Sequence, residues 1–215
     1  MPERRTPTIS SRKQPKQARS TDLVSTILEA ATQVLQHEGA TRFTTARVAE
    51  RAGVSVGSLY QYFPNKAAIL FRLQSDEWRQ TTEMLRRILE DRTHPPQARL
   101  RRLVHAFIQS ECDEAQTRGA LNDAAPLYRD APEAKEAREF SETTMRNFMK
   151  EALPKVPAPR RQLANDLIGT TLSAAGRDFS SVPRNSKEIA AYADAVSDMF
   201  CAYLDTLASA KSTRR

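Results

Sequence analysis

An all-α fold is what this sequence predicts, on three observations. Apolar residues recur at three- and four-residue spacings along most of the 215-residue chain. No segment sustains a two-residue alternation rich in Val, Ile and Thr. Pro95-Pro96, Pro126, Pro132, Pro154, Pro157, Pro159 and Pro183 cut the second part of the chain into helix-sized pieces. The expected architecture is an N-terminal three-helix head containing a helix-turn-helix, followed by a larger C-terminal helical body. The boundaries read from the sequence are a disordered basic arm over 1–20, the head over 21–66 and the body over 67–215.

The arm contains Pro2, Pro7 and Pro15, six basic residues and little apolar content, a composition that cannot build a core. The first helix opens near Thr21-Asp22, a cap and an early acid. Val24, Ile27, Leu28, Ala31, Val34 and Leu35 then form one buried stripe, and Gly39 is expected to end it. In the second helix Val48, Ala49 and Ala52 share a face. Gly53 supplies a turn residue free to take positive φ. Val54 anchors the turn, and Ser55 stands where a third helix needs its N-cap. Leu59 and Phe63 lie four apart and face inward together. Two helices this short, joined by a Gly-containing turn, make a helix-turn-helix whose second helix fits a major groove.

The side chains read as outward on that second helix are Val56, Gly57, Ser58, Tyr60, Gln61 and Tyr62. None is acidic. Small residues allow close backbone approach, hydroxyls reach phosphates, and Gln pairs with adenine in bidentate fashion. Asn65 is the expected N-cap of a fourth helix. Lys66 in its first turn opposes the helix dipole, a conflict that a phosphate partner relieves.

Further helices are expected at about 65–91, 97–113, 117–127, 133–152, 159–178 and 186–209. The last two are apolar on more than one side. Ile189, Ala193, Val196, Phe200, Tyr203 and Leu207 form one stripe, and Ala191, Ala195 and Ala202 form a second. In the preceding helix Leu163, Leu167, Leu172 and Phe179 accompany Gly169, Ser173 and Gly176. A helix apolar on two sides must bury two sides. The bland explanation is a helix central to its own domain. The preferred expectation is a four-helix interface between two copies of the chain, with Leu167, Leu172, Ala195, Met199 and Tyr203 in it.

Charge points to the same partner as the helix-turn-helix. The net charge is +7, and residues 1–66 carry +5 of it. A basic end beside a groove-sized helix suits nucleic acid. The two cysteines, Cys112 and Cys201, have no CxxC spacing and fall in expected helices, where buried thiols act as small apolar groups. His37, His94 and His105 are scattered, with no metal-ligand spacing around them. No phosphate-binding glycine loop or nucleophile elbow is present. No cofactor, metal or enzymatic activity is expected. With no long apolar run, the protein is expected to be cytoplasmic and away from membranes.

The run FTTARVAERAGVSVGSLYQYFPNKAAIL, Phe43 to Leu70, closely resembles the DNA-binding domain of the TetR family of bacterial transcriptional regulators. The resemblance covers roughly residues 20–72. It rests on Thr44-Thr45, Val48-Ala49, Ala52-Gly53-Val54-Ser55, Gly57, Leu59-Tyr60, Tyr62-Phe63 and Lys66. Ala67 departs from the pattern, standing where many members carry an acid. The resemblance implies a homodimeric, sequence-specific regulator, a repressor by preference, that binds a near-palindromic double-stranded operator. It adds Thr44, Thr45 and Ser55 to the DNA-facing set. It also implies a small-molecule effector in the helical body. Trp78, Phe140 and Phe148, with His105, Cys112, Asn122 and Thr144 as polar contacts, are the candidate lining of a mostly apolar pocket. A hydrophobic or aromatic effector is therefore expected. The alternatives are a ligand-independent regulator or activator, or a helical enzyme or interaction module that carries a helix-turn-helix.

Overall fold

The computed structural model describes residues 18–127 and 132–209, with side chains over 21–126 and 142–209. Most of the basic arm thus lies outside the described residues. The described chain is helical throughout and contains no strand: α1 Ala18–Arg42, α2 Thr45–Arg51, α3 Val56–Tyr62, α4 Lys66–Leu89, α5 Pro96–Asp113, α6 Ala115–Ala124, a 3-10 turn at Ala125–Leu127, α7 Pro132–Ala152, α8 Ala158–Phe179 and α9 Ser186–Ser209. The prolines punctuate as the sequence predicts. Pro95 and Pro157 stand at the N-caps of α5 and α8, where a missing N–H costs nothing.

Gly39 interrupts α1 rather than ending it. Its backbone takes φ 72, ψ 171, and helix resumes for a few residues beyond this kink. A residue with a Cβ is strained there.

The chain forms two compact units. The first contains the described residues up to Arg79 and those from Gln116 to Ala137; the second contains Gln80–Ala115 and the described residues from Arg138 onward. The expected boundary at 66/67 therefore falls inside the first unit, at the start of α4.

In the first unit the stripe of α1 (Val24, Ile27, Ala31, Val34, Leu35) packs with Phe43, Val48, Ala49, Leu59, Phe63 and the first turns of α4, Ala67 to Phe71. Leu121 and Ala124 of α6 join the same core. Burying a Leu, Ile or Phe side chain is worth about 1.5–3 kcal/mol, and this shared core sets how α2 and α3 are held. Gln36 of α1 donates to Thr117 of α6 at 2.7 Å, and Arg118 of α6 meets Glu77 of α4 at 3.0 Å.

In the second unit Leu100, Leu103, Val104, Phe107 and Ile108 of α5 pack with Phe148 and Met149 of α7, Ile168 and Leu172 of α8, and Ala193, Phe200 and Leu204 of α9. Gly176 of α8 permits close approach to α5: a Cβ there would lie 2.9 Å from Cγ of Glu111 and 3.0 Å from the Phe107 ring. Arg99 is buried in this unit. Its guanidinium bonds the Leu89 carbonyl and Glu151, and stands 5.6 Å from the centre of the Phe148 ring. That arrangement ties the end of α4 to α7, and Arg99 holds the Glu151 carboxyl below its usual range.

Candidate nucleic-acid interface

Each short helix is started by a side-chain cap. Thr44 Oγ accepts from the Arg47 amide at 3.3 Å, opening α2. Ser55 Oγ accepts from the Ser58 amide at 3.0 Å, opening α3. Between them Gly53, at φ 66, turns the chain. The Gly53 amide bonds the Glu50 carbonyl at 3.1 Å, and the Val54 amide bonds the Ala49 carbonyl at 3.0 Å. These bonds satisfy carbonyls that the end of α2 would leave open. Asn65 caps α4, its Oδ1 accepting from the Ala68 amide at 2.9 Å.

Most of the sequence-predicted DNA-facing residues are at the surface. Thr44, Ser55, Val56, Gly57, Tyr60, Gln61 and Lys66 are exposed, while Thr45 and Ser58 are half-buried. Thr45 Oγ and the Tyr60 hydroxyl lie 3.1 Å apart, joining the N-terminus of α2 to α3. Lys66 has no ion pair among the described residues.

Tyr62 is a correction. The sequence reading put it on the outward face, but the structure buries it beside Leu59 and Phe63. Leu59, Tyr62 and Phe63 are related by three and four residues, so the helical repeat carries Tyr62 inward with the other two.

The sequence reading also missed which basic residues are already engaged. Arg47 forms an ion pair with Glu38 of α1, and Arg51 Nε donates to Gln33 Oε1 at 2.6 Å. With Val34, His37 and Glu50 these residues line a groove of about 860 Å3 between α1 and α2, mixed in charge. Such pairs join two different helices, so no spacing within one helix announces them.

The candidate effector residues divide between the units. Trp78 packs against the first core, and Asn122 is exposed on α6 of the same unit. In the second unit Phe148 is buried, Thr144 is buried, and Cys112 packs against the same core. His105 faces α9, its Nε2 3.0 Å from an Asp194 oxygen. The Phe140 side chain lies outside the described residues. Burial pushes both thiols, Cys112 and Cys201, above the ordinary cysteine value.

On the proposed dimer face Leu163, Leu167 and Met199 are 63%, 49% and 51% exposed, and Ala195 is exposed. Tyr203 is half-buried against its own core. Leu172 is a second correction: it is buried inside its own unit. It lies five residues beyond Leu167, a step that carries it round α8 to the inner side. Among the described residues no cluster of three His, Cys, Asp or Glu could hold a metal. No described helix is long and apolar enough to cross a membrane.

Comparison with known proteins matches both parts of the chain. The family model "Bacterial regulatory proteins, tetR family" matches residues 27–73, and "Tetracyclin repressor-like, C-terminal domain" matches residues 95–207. Nucleoid occlusion factor SlmA of Vibrio campbellii is 29% identical over 170 residues, 73% of this chain and 86% of SlmA. The fatty acid degradation regulator FadR of Bacillus halodurans has the same fold, with a TM-score of 0.67 at 18% identity over 87% of this chain and 96% of FadR. FadR of Bacillus subtilis, solved with stearoyl-CoA, has a TM-score of 0.62 at 16% identity over 82% of this chain and 96% of its own.

Proposed function

Because the chain belongs to the TetR family of DNA-binding transcriptional regulators, we propose that it is a homodimeric, cytoplasmic repressor released from its operator by a hydrophobic or aromatic small molecule. The observation that carries this reading is the surface of α3. It presents Val56, Gly57, Tyr60 and Gln61 without an acidic residue, and in sequence it is flanked by the capped start of α2 and the exposed Lys66. In this reading Thr44, Thr45 and Lys66 meet phosphates and set the register. The α3 side chains meet base edges.

Two copies are needed to read two half-sites about one helical turn apart. The exposed Leu163, Leu167, Met199 and Ala195 on α8 and α9 support pairing through those helices. A face this apolar is unusual on a chain that stays single. The stearoyl-CoA held by the Bacillus subtilis relative supports an apolar effector. Release requires that the effector bind the form unable to dock on DNA more tightly; a difference of ~1–3 kcal/mol changes operator affinity about 5–150-fold.

A second reading is a DNA-binding factor without small-molecule control. The similarity to SlmA, a nucleoid occlusion factor, supports it. One experiment separates the two. Duplexes enriched from a random library by the full chain are labelled, and binding is followed by anisotropy. Stearoyl-CoA, free fatty acids, planar aromatics and polar sugar phosphates are added in turn. Weakening by an apolar compound within the range above is the expected result. Weakening by a polar metabolite alone overturns the hydrophobic-effector reading. Indifference to every compound favours the ligand-independent one.

A further inference from the structure

Two large apolar side chains left exposed in the first unit are Val56 and Tyr60, each 40% exposed. They stand four residues apart on α3 and so share one face. The Tyr60 hydroxyl is already placed 3.1 Å from Thr45 Oγ, so its hydrogen bond braces α3 against α2. What the ring offers outward is its apolar edge. Gly57 follows Val56, and a Cβ on it would meet only Ser55 Oγ, at 3.7 Å. With no side chain there, the backbone of α3 can come close to a groove floor. Gln61, next to Tyr60, is exposed.

In the major groove one base feature is apolar: the 5-methyl group of thymine. A valine has no hydrogen-bonding use there, the Tyr60 hydroxyl is engaged by Thr45, and the methyl group is the surface that the valine and the ring edge fit. A Gln beside them is suited to adenine, the partner base of thymine. The geometry points to an operator half-site in which A·T pairs lie beneath α3, with thymine methyl groups packed against Val56 and Tyr60 and adenine read by Gln61. This inference rests on the DNA-binding reading above and adds the bases that α3 selects.

The test uses the full chain and duplexes that it enriches from a random library. Each thymine of the enriched half-site is replaced in turn by deoxyuridine, which deletes the methyl group and leaves every hydrogen-bonding edge in place. One or two positions in each half-site are expected to lose about three- to fivefold in affinity, the worth of one buried methyl group. Val56→Ala and Tyr60→Ala should erase the penalty at their own positions. Tyr60→Phe keeps the ring and should keep the penalty. Circular dichroism melting of Val56→Ala checks that the head stays folded, as the exposure of Val56 predicts. Half-sites without thymine, uracil substitutions without effect, or a penalty that survives in both alanine variants overturn the inference. If the chain enriches no sequence at all, the DNA-binding reading itself fails.

Discussion

Glu38 stands one residue before the kink at Gly39 and holds Arg47 in an ion pair. Arg47 sits in the first turn of α2, close in sequence to Thr44 and Thr45. A guanidinium neutralised by Glu38 has less to offer a phosphate. Glu38→Gln is therefore predicted to raise affinity for operator and random duplex alike. The slope of log affinity against log salt should steepen by about 0.9, one added phosphate contact. A salt titration checks this, and unchanged slopes would show that Arg47 stays clear of DNA. Tyr62 and Gln61 are neighbours with opposite roles. Tyr62 is buried and Gln61 exposed. Tyr62→Ala should lower stability by about 3–5 kcal/mol, whereas Gln61→Ala should leave the melting temperature within about 2 °C, as surface substitutions do. Thermal melts of the two variants would separate the roles, and equal melts would contradict the inward placement of Tyr62.

At the scale of the element, α5 and α8 approach closely because Gly176 lacks a Cβ. The Glu111 side chain near it can swing aside, but the Phe107 ring is held in the core. Gly176→Ala is predicted to destabilise the protein by about 1–3 kcal/mol through overpacking. Urea denaturation measures it. A stabilised variant would mean that the gain in helix propensity outweighs the clash. The same element shows what the sequence could disclose. Prolines marked the starts of α5 and α8. Arg99 shows the reverse. It lies four residues before Leu103 on the buried face, a signal present in the sequence but passed over, because a charged residue on an apolar stripe is read as surface. Its partners, the Leu89 carbonyl and Glu151, come from other helices. Tyr62 was misread although its signal lay in the sequence, three residues beyond the inward Leu59. The caps and turn that shape α2 and α3 were legible, because they are local chemistry at Thr44, Gly53 and Ser55. The ion pair that occupies Arg47 and the hydrogen bond that occupies Arg51 were not, since they depend on how α1 and α2 are held by a shared core.

At the scale of the whole molecule, α6 belongs to the first unit because it buries Leu121 and Ala124 in that unit's core. That is a tertiary choice with no local mark in the sequence. The exposed face of α8 and α9 sets the expected assembly. Met199→Glu or Ala195→Glu places a carboxylate where two copies would pack, an uncompensated buried charge that costs several kcal/mol. Either variant should sediment as a monomer at micromolar concentration and lose operator affinity; a dimer would reject this face. Whether α3 reads DNA sequence is decided by one titration. Wild type, Gln61→Ala and Lys66→Ala are each titrated on the enriched operator and on a scrambled duplex of equal length. The account predicts a preference of at least about 10^3-fold for the operator in the wild type. Gln61→Ala should cut that preference by an amount corresponding to about 1–3 kcal/mol. Lys66→Ala should weaken both duplexes equally, because a phosphate contact carries no sequence information. Equal affinity of the wild type for the two duplexes, or equal loss on both from Gln61→Ala, would contradict it.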